Sequence, residues 1–135
     1  GTTATDGYAE ASYVPGRNLL LLSHAAAYAE AKGIGDIYFA ANADDGLRFP
    51  DCSRAFLVAL NRLWQSCPNT KDIRVCSPFI NLSKAAVVAK SQVLGVQLQH
   101  TISCYSPAAK QACGQCLSCQ LRQEAMEDLN TMKMA

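Results

Sequence analysis

Four cysteines crowd the last third of this 135-residue chain: Cys104 is followed by Cys113, Cys116 and Cys119. A disulfide between cysteines three positions apart closes a tiny loop and restrains little of the unfolded chain, whereas tetrahedral zinc favours turns of this kind. Four thiolates also fill a tetrahedral site, leaving no open position for water. The spacing therefore predicts one structural zinc ion held by a compact C-terminal knuckle.

Other arrangements of the cysteines stay open. The chain has seven cysteines, and this odd number argues against a disulfide scaffold without excluding it. A catalytic zinc would keep a position for solvent, and His100 could replace one of the four cysteines as a ligand. The isolated Cys52, Cys67 and Cys76 are expected to pack in the interior.

The overall composition favours a folded protein and supplies no global field that would attract a polyanion, so any such contact must be local. Half of the residues are hydrophobic and the formal net charge is only +1. Between Tyr105 and Leu121, Lys110 is the one cation, so we do not expect the knuckle to bind nucleic acid. The longest apolar stretches are far shorter than the roughly 20 residues of a membrane span, and no secretory signal is evident. We expect a cytoplasmic protein with no membrane contact.

Helical and strand-like patterns alternate over the first hundred residues. Because parallel strands need crossover helices between them, we predict an α/β fold. It would contain part of a doubly wound parallel sheet with helices on both faces, followed by the zinc knuckle and a helix from Leu117 to about Asn130. We expect 1–135 to form a single domain. The helical patterns end near Gly33, Pro68 and Gly95, the strand-like runs cover 36–41 and 72–76, and the helix caps expected are Asp51 or Ser53, and Ser83.

Five polar residues are candidates for a functional site. Arg17 and Asn18 stand where a helix begins, and a helix N-terminus and an arginine fork both favour anions. Asp45 and Asp51 belong to a polar loop, 42–52, that follows the first strand, where open α/β sheets bind ligands. Lys84 begins a later helix, against the helix dipole. Ordinary turns, helix caps and a solvated acidic loop are the alternative interpretation.

These motifs together resemble those of the 7-cyano-7-deazaguanine synthases of the queuosine and archaeosine pathways. The similarity extends from about Tyr13 to Arg122 and keeps the family's order of motifs. The matching segments are VPGRN at 14–18, Asp45, FPDC at 49–52 where YPDC is common, ALN at 59–61, Pro78, Ser83 with Lys84, TISCY at 101–105 and CGQCLSCQLR at 113–122.

The resemblance implies a fold and an activity. Residues 1–100 would be the C-terminal part of an adenine-nucleotide-hydrolase-like α/β domain, and 101–135 the zinc knuckle with its helix. Members of the family are ATP-dependent ligases. They convert 7-carboxy-7-deazaguanine and ammonia into the nitrile preQ0, activating the carboxylate and then the amide by adenylation, so ATP and Mg²⁺ are implied cofactors. By residue-by-residue carry-over, Arg17, Asn18 and Lys84 would be catalytic, and Asp45 and Asp51 would accept hydrogen bonds from the deazaguanine.

The sequence also departs from the family pattern. Family members begin with an SGGxDS loop whose backbone N–H groups hold ATP phosphates, and this sequence contains no such segment. Leu47 and Arg48 replace smaller residues of the YPDC loop, and Ala85 stands where glutamate is common. We therefore expect the C-terminal portion of a synthase, inactive alone, that needs a nucleotide-binding partner chain and self-associates into a homo-oligomer. The alternative is a non-catalytic, zinc-stabilised binding or assembly module derived from that family.

Overall fold

The computed structural model describes residues 13–105 and 112–134. Contacts along the chain divide it into two compact units, one of Val14–Asn81 and one that begins at Leu82. The expected single domain over 1–135 stays a prediction. Lys110 and residues 1–12 lie outside the described residues.

The first unit alternates helices with two short strands. Helix α1 covers Arg17–Lys32, strand β1 Asp36–Tyr38, helix α2 Ala43–Arg48, a 3-10 turn Pro50–Cys52, helix α3 Arg54–Gln65 and strand β2 Arg74–Cys76. Ser53 caps α3, since its hydroxyl accepts from the backbone N–H of Phe56 at 3.1 Å. Of the two predicted caps for this helix, Ser53 is therefore confirmed and Asp51 is wrong.

The two strands form a parallel pair in which Ile37 lies opposite Val75. Their side chains join one apolar cluster with Leu22 of α1 and with Leu60 and Trp64 of α3. Both helices thus pack on the strand face that carries Ile37 and Val75. The α/β class with parallel strands is confirmed, whereas a doubly wound sheet with helices on both faces stays a prediction.

The outer edge of β2 is closed by a side chain. The backbone N–H of Val75 donates to Asn61 Oδ1 at 2.9 Å, and Asn61 Nδ2 donates to the Val75 carbonyl at 3.0 Å. The Asn61 amide thus pairs with β2 as a neighbouring strand would. Between the strands, the Arg74 N–H donates to the Gly35 carbonyl and the Phe39 N–H donates to the Cys76 carbonyl. Because backbone groups alternate in direction along a strand, those of Asp36 and Tyr38 point to the other edge of β1. A further strand can therefore add beside β1 but not beside β2.

The second unit contains a helix pair. Helix α4 covers Lys84–Val93, a 3-10 turn Leu98–His100 and helix α5 Leu117–Met134. The predicted cap of α4 is confirmed, because Ser83 Oγ accepts from the Ala86 N–H at 3.2 Å. Val88 of α4 is buried together with Ala125 and Leu129 of α5. Within the described ranges, no helix has both the length and the apolar character needed to cross a bilayer.

Replacing Asn61 with alanine should destabilise the first unit. The change leaves the N–H of Val75, a residue only 2% exposed, without its side-chain acceptor, which costs ~1–3 kcal/mol for a buried donor. Urea unfolding followed by the fluorescence of the single tryptophan, Trp64, measures this loss. Gln65→Ala, at an exposed position of the same helix, is the control and should change stability by less than ~0.5 kcal/mol. Equal stability of the two variants would contradict the edge-closing role.

Candidate functional site

The four clustered cysteines converge in the second unit. The Sγ atoms of Cys104, Cys113, Cys116 and Cys119 all lie within 4.8 Å of one another, and those of Cys113 and Cys119 are 4.0 Å apart. Tetrahedral coordination with zinc–sulfur bonds of about 2.3 Å separates the sulfurs by about 3.8 Å. The donor set and its spacing therefore fit a metal ion, and this group could hold one.

Local backbone structure places three of these sulfurs. Gly114 has φ +71°, a left-handed conformation that glycine adopts without strain, and it turns the chain between Cys113 and Cys116. Cys116 directly precedes α5 and Cys119 lies in its first turn, where the helix dipole favours negative charge. Cys116 and Cys119 are buried, whereas Cys113 is exposed.

Backbone N–H groups surround the sulfurs. The N–H of Cys113 donates to Cys104 Sγ and that of Cys116 donates to Cys113 Sγ, each at 3.4 Å. Backbone hydrogen bonds from Tyr105 and Gly114 likewise reach the thiols of Cys116 and Cys119. Each of the four sulfurs thus has a backbone donor, an environment that stabilises thiolates.

Hydrogen bonding and burial act in opposite directions on the pKa of the two buried thiols. The backbone hydrogen bond from Tyr105 is the largest influence that lowers the pKa of Cys116, to about 6. Burial raises the pKa of Cys119 to about 12. Thiolates this close repel one another, so ionisation of all four requires a cation among them.

Arg122 connects α5 to the segment that leads to Cys104. Its Nη1 donates to Thr101 Oγ1 at 2.8 Å and to Ser103 Oγ at 3.3 Å, and its Nη2 donates to the Leu98 carbonyl oxygen. Two of these three acceptors, Thr101 and Ser103, thus belong to the TISCY segment that carries Cys104. Thr101 and Ser103 lie in TISCY and Arg122 lies in CGQCLSCQLR, but neither motif predicts these long-range contacts.

The nearby histidine and the three isolated cysteines do not belong to the metal-binding group. His100 lies in the exposed 3-10 turn and is not a member of the cysteine group. Cys67 is exposed, so its predicted interior packing is wrong; it follows the end of α3, where the chain turns at the surface. Cys52 and Cys76 are half-buried.

A second cluster, in the first unit, surrounds Cys52. Asn18 Nδ2 donates to Cys52 Sγ at 3.2 Å, and the charges of Asp51, Asp45 and Arg17 act on the same thiol. The structure thus gathers four of the five predicted site residues. Lys84 begins α4 in the other unit. Burial, with Asp51 and Asp45 adding to it, raises the pKa of Cys52 to about 11, so its thiol stays protonated at neutral pH. Sequence reasoning treated Cys52 as packing and missed its central position.

Asp51 completes the start of α1 from 33 residues away. The N-cap of this helix is Gly16, which has no side chain to accept a hydrogen bond. Asp51 Oδ2 instead accepts from the Asn18 backbone N–H at 3.3 Å, while the Asp51 carbonyl accepts from Asn18 Nδ2 at 3.4 Å. Asn18 and Asp51 therefore fasten the start of α1 to the 3-10 turn.

Asp45 belongs to a helix rather than to the predicted loop. Asn42 Oδ1 accepts from the Asp45 N–H at 3.0 Å, and Asp45 Oδ2 accepts from the Asn42 N–H at 3.2 Å, which is a reciprocal capping box. Gly46 lets this helix approach the next turn, because a Cβ there would lie 3.3 Å from the Cys52 carbonyl oxygen. The predicted polar loop is thus α2 and a 3-10 turn.

The chain matches the family model described as queuosine biosynthesis protein QueC over residues 2–130. The chain belongs to this family. It is 39% identical over 121 residues to the 7-cyano-7-deazaguanine synthase of Anaeromyxobacter sp. (strain Fw109-5), a match that covers 87% of this chain and 52% of that relative. It is 36% identical to 7-cyano-7-deazaguanine synthase 1 of Colwellia psychrerythraea, with 90% and 55% covered.

A further synthase, from Rickettsia prowazekii, is 32% identical over 135 residues, which are 96% of this chain and 60% of that protein. The chain therefore spans about half the length of the curated QueC-family relatives it matches. The expected family is confirmed, and the similarity extends through both units and the cysteine group.

Asp51→Ala should destabilise the first unit by ~0.5–2 kcal/mol, because the start of α1 loses its acceptor. Asp51→Asn keeps an acceptor oxygen and should recover most of this loss. Urea unfolding monitored at Trp64 compares the two, with Asp72→Ala, at an exposed position, as the charge-matched control. If the asparagine variant is as unstable as the alanine variant, the negative charge rather than the acceptor supports the helix.

Proposed function

We propose that this chain is the C-terminal portion of a 7-cyano-7-deazaguanine synthase, contributing the deazaguanine-binding residues and a structural zinc centre. Its membership of the QueC family is the observation that carries this proposal. The complete reaction would join 7-carboxy-7-deazaguanine and ammonia to form preQ0 with ATP and Mg²⁺. The setting would be a cytoplasmic homo-oligomer.

The zinc would be held by the four clustered cysteines. Four thiolates with backbone donors satisfy a tetrahedral ion and leave no position for a reacting water. When bound, the ion supplies folding energy and no chemistry at the substrate.

The deazaguanine would be held by Asp45 and Asp51. In both carboxylates the described hydrogen bonds use Oδ2, which accepts from Asn42 and Asn18 respectively. Those bonds fix the orientation of each carboxylate and leave Oδ1 to accept from the exocyclic amine and ring N–H groups of a guanine-like base. Fixing the carboxylates beforehand lowers the entropic cost of binding.

The anionic parts of the ligands would be bound by cations. Arg17, at the start of α1, can hold a carboxylate or phosphate by two parallel hydrogen bonds, with Asn18 beside it. Lys84 would contact ATP or the substrate carboxylate. The protonated Cys52 thiol accepts from Asn18 and is not poised as a nucleophile.

Activity would require the nucleotide-binding part found in full-length family members. The closed edge of β2 and the outward backbone groups of Asp36 and Tyr38 on β1 support this proposal, because they leave one edge at which a further strand can add. That part could be supplied by another chain.

A non-catalytic binding or assembly module is the second candidate. It is favoured by the hydrogen bonds of Asp45 and Asp51, since capping α2 and α1 accounts for both residues without any ligand.

Purified protein should contain about one zinc ion per chain by elemental analysis. Cys116→Ser should weaken zinc binding by more than ~10–100-fold. That range is the usual cost of removing a residue that hydrogen-bonds to a metal ligand, and this change removes a ligand. Circular dichroism should then show loss of α5 helicity. Cys67→Ser, an exposed cysteine outside the group, should match the parent. Full stability of metal-free protein would contradict a structural zinc.

Titrating 7-carboxy-7-deazaguanine into isotope-labelled protein should shift the amide resonances of Asp45 and Asp51. Asp51→Ala should abolish the shifts. Asp51→Asn should weaken them, because its amide oxygen still caps α1 but the amide offers the deazaguanine ring no charged acceptor. Asp72→Ala is the control. If the compound shifts no resonance in the parent, the binding site is absent and the assembly module replaces this proposal.

A further inference from the structure

We propose that Arg122 is the positioning residue of the metal centre: its guanidinium holds the 98–103 segment against α5 and thereby presents Cys104 to the other three cysteines. This inference rests on the zinc centre of the proposed function. It concerns a side chain that does not contact the ion and acts through Cys104.

The ligand set consists of two parts with different attachments. Cys113, Cys116 and Cys119 come from one short stretch that runs directly into α5. Cys104 comes from an earlier segment, and residues 106–111 between the parts lie outside the described chain. Three ligands are therefore placed by local structure, whereas the fourth must be brought to them by contacts of its own segment.

Arg122 makes those contacts at the required place. It lies one helical turn after Cys119, so both side chains project from the same face of α5. On the other segment its acceptors include Ser103, the residue immediately before Cys104, at 3.3 Å and Thr101 at 2.8 Å. The guanidinium thus joins the helix that carries Cys119 to the segment that carries Cys104.

The guanidinium chemistry suits this role. Its planar fork reaches the two hydroxyl groups and the Leu98 carbonyl at once, and hydrogen bonds from a charged donor are stronger than neutral ones. Cys104 Sγ itself accepts a hydrogen bond from the Cys113 N–H at 3.4 Å, and a bond to sulfur is weaker than those that Arg122 makes to oxygen. Lysine has the charge but not the fork, so it would replace only part of the clamp.

Cobalt(II) substitution tests the inference with a readout that reports ligand identity. The parent should give the tetrahedral spectrum of four thiolates, and Cys104→Ser should give that of three. Arg122→Ala should resemble Cys104→Ser and bind the metal ~10–100-fold more weakly, the usual cost of losing a group that orients a ligand. Arg122→Lys should lie between the parent and the alanine variant.

Two further variants separate positioning from charge and from folding. Lys90→Ala removes an exposed cation from α4 in the same unit and should leave spectrum and affinity unchanged. Thr101→Val combined with Ser103→Ala keeps Arg122 but removes two of its acceptors, and it should weaken cobalt binding even where Arg122→Ala does not fold. A four-thiolate spectrum with unaltered affinity in Arg122→Ala, or in this double variant, would overturn the inference. Absence of that spectrum in the parent would overturn the metal centre itself.

Discussion

Backbone groups at the ends of short elements need hydrogen-bond partners, and in this chain polar side chains supply them. The strands are only three residues long and α2 has six, so a large share of their backbone groups lies at an end or an edge. Asp51 completes α1, the Asn42–Asp45 pair completes α2, and Asn61 closes β2. Side chains also accept from backbone N–H groups at the cysteines, where the acceptor is sulfur rather than oxygen. Local order in both units therefore depends on a few side chains whose apolar replacement would leave donors unpaired.

This dependence places the proposed ligand-binding role and the observed capping role on the same two carboxylates. A carboxylate has two oxygens with about four acceptor positions, and one capping bond leaves most of that capacity available. The capping bond also prevents the side chain from rotating, so a ligand meets an acceptor already in place. The capping bonds of Asp45 and Asp51 therefore leave acceptor capacity for a base, although capping alone also accounts for both residues.

Many of the helices, caps and clustered residues could be predicted from short stretches of the sequence. The four longer helices, the caps at Ser53 and Ser83 and the four-cysteine group follow from spacing over a few residues. Helix α2 was missed because Gly46 and two acidic residues suggested a loop, although the Asn42–Asp45 spacing of a capping box was visible. The roles of Asp51 and Arg122 could not be predicted, since their partners lie 33 and 19 to 24 residues away and depend on the fold.

The small described core of the second unit is consistent with the metal centre proposed there. Among the described residues, its apolar cluster has three buried members, Val88, Ala125 and Leu129, and one of these is only an alanine. Small units with cores of this size usually need a metal or a disulfide. Cys116, Leu117 and Cys119 are buried as well, so two of the four clustered cysteines belong to the described interior of this unit. Metal binding there would therefore stabilise the end of α5 that these buried residues already anchor, and residues that bring Cys104 to that end would contribute to both effects.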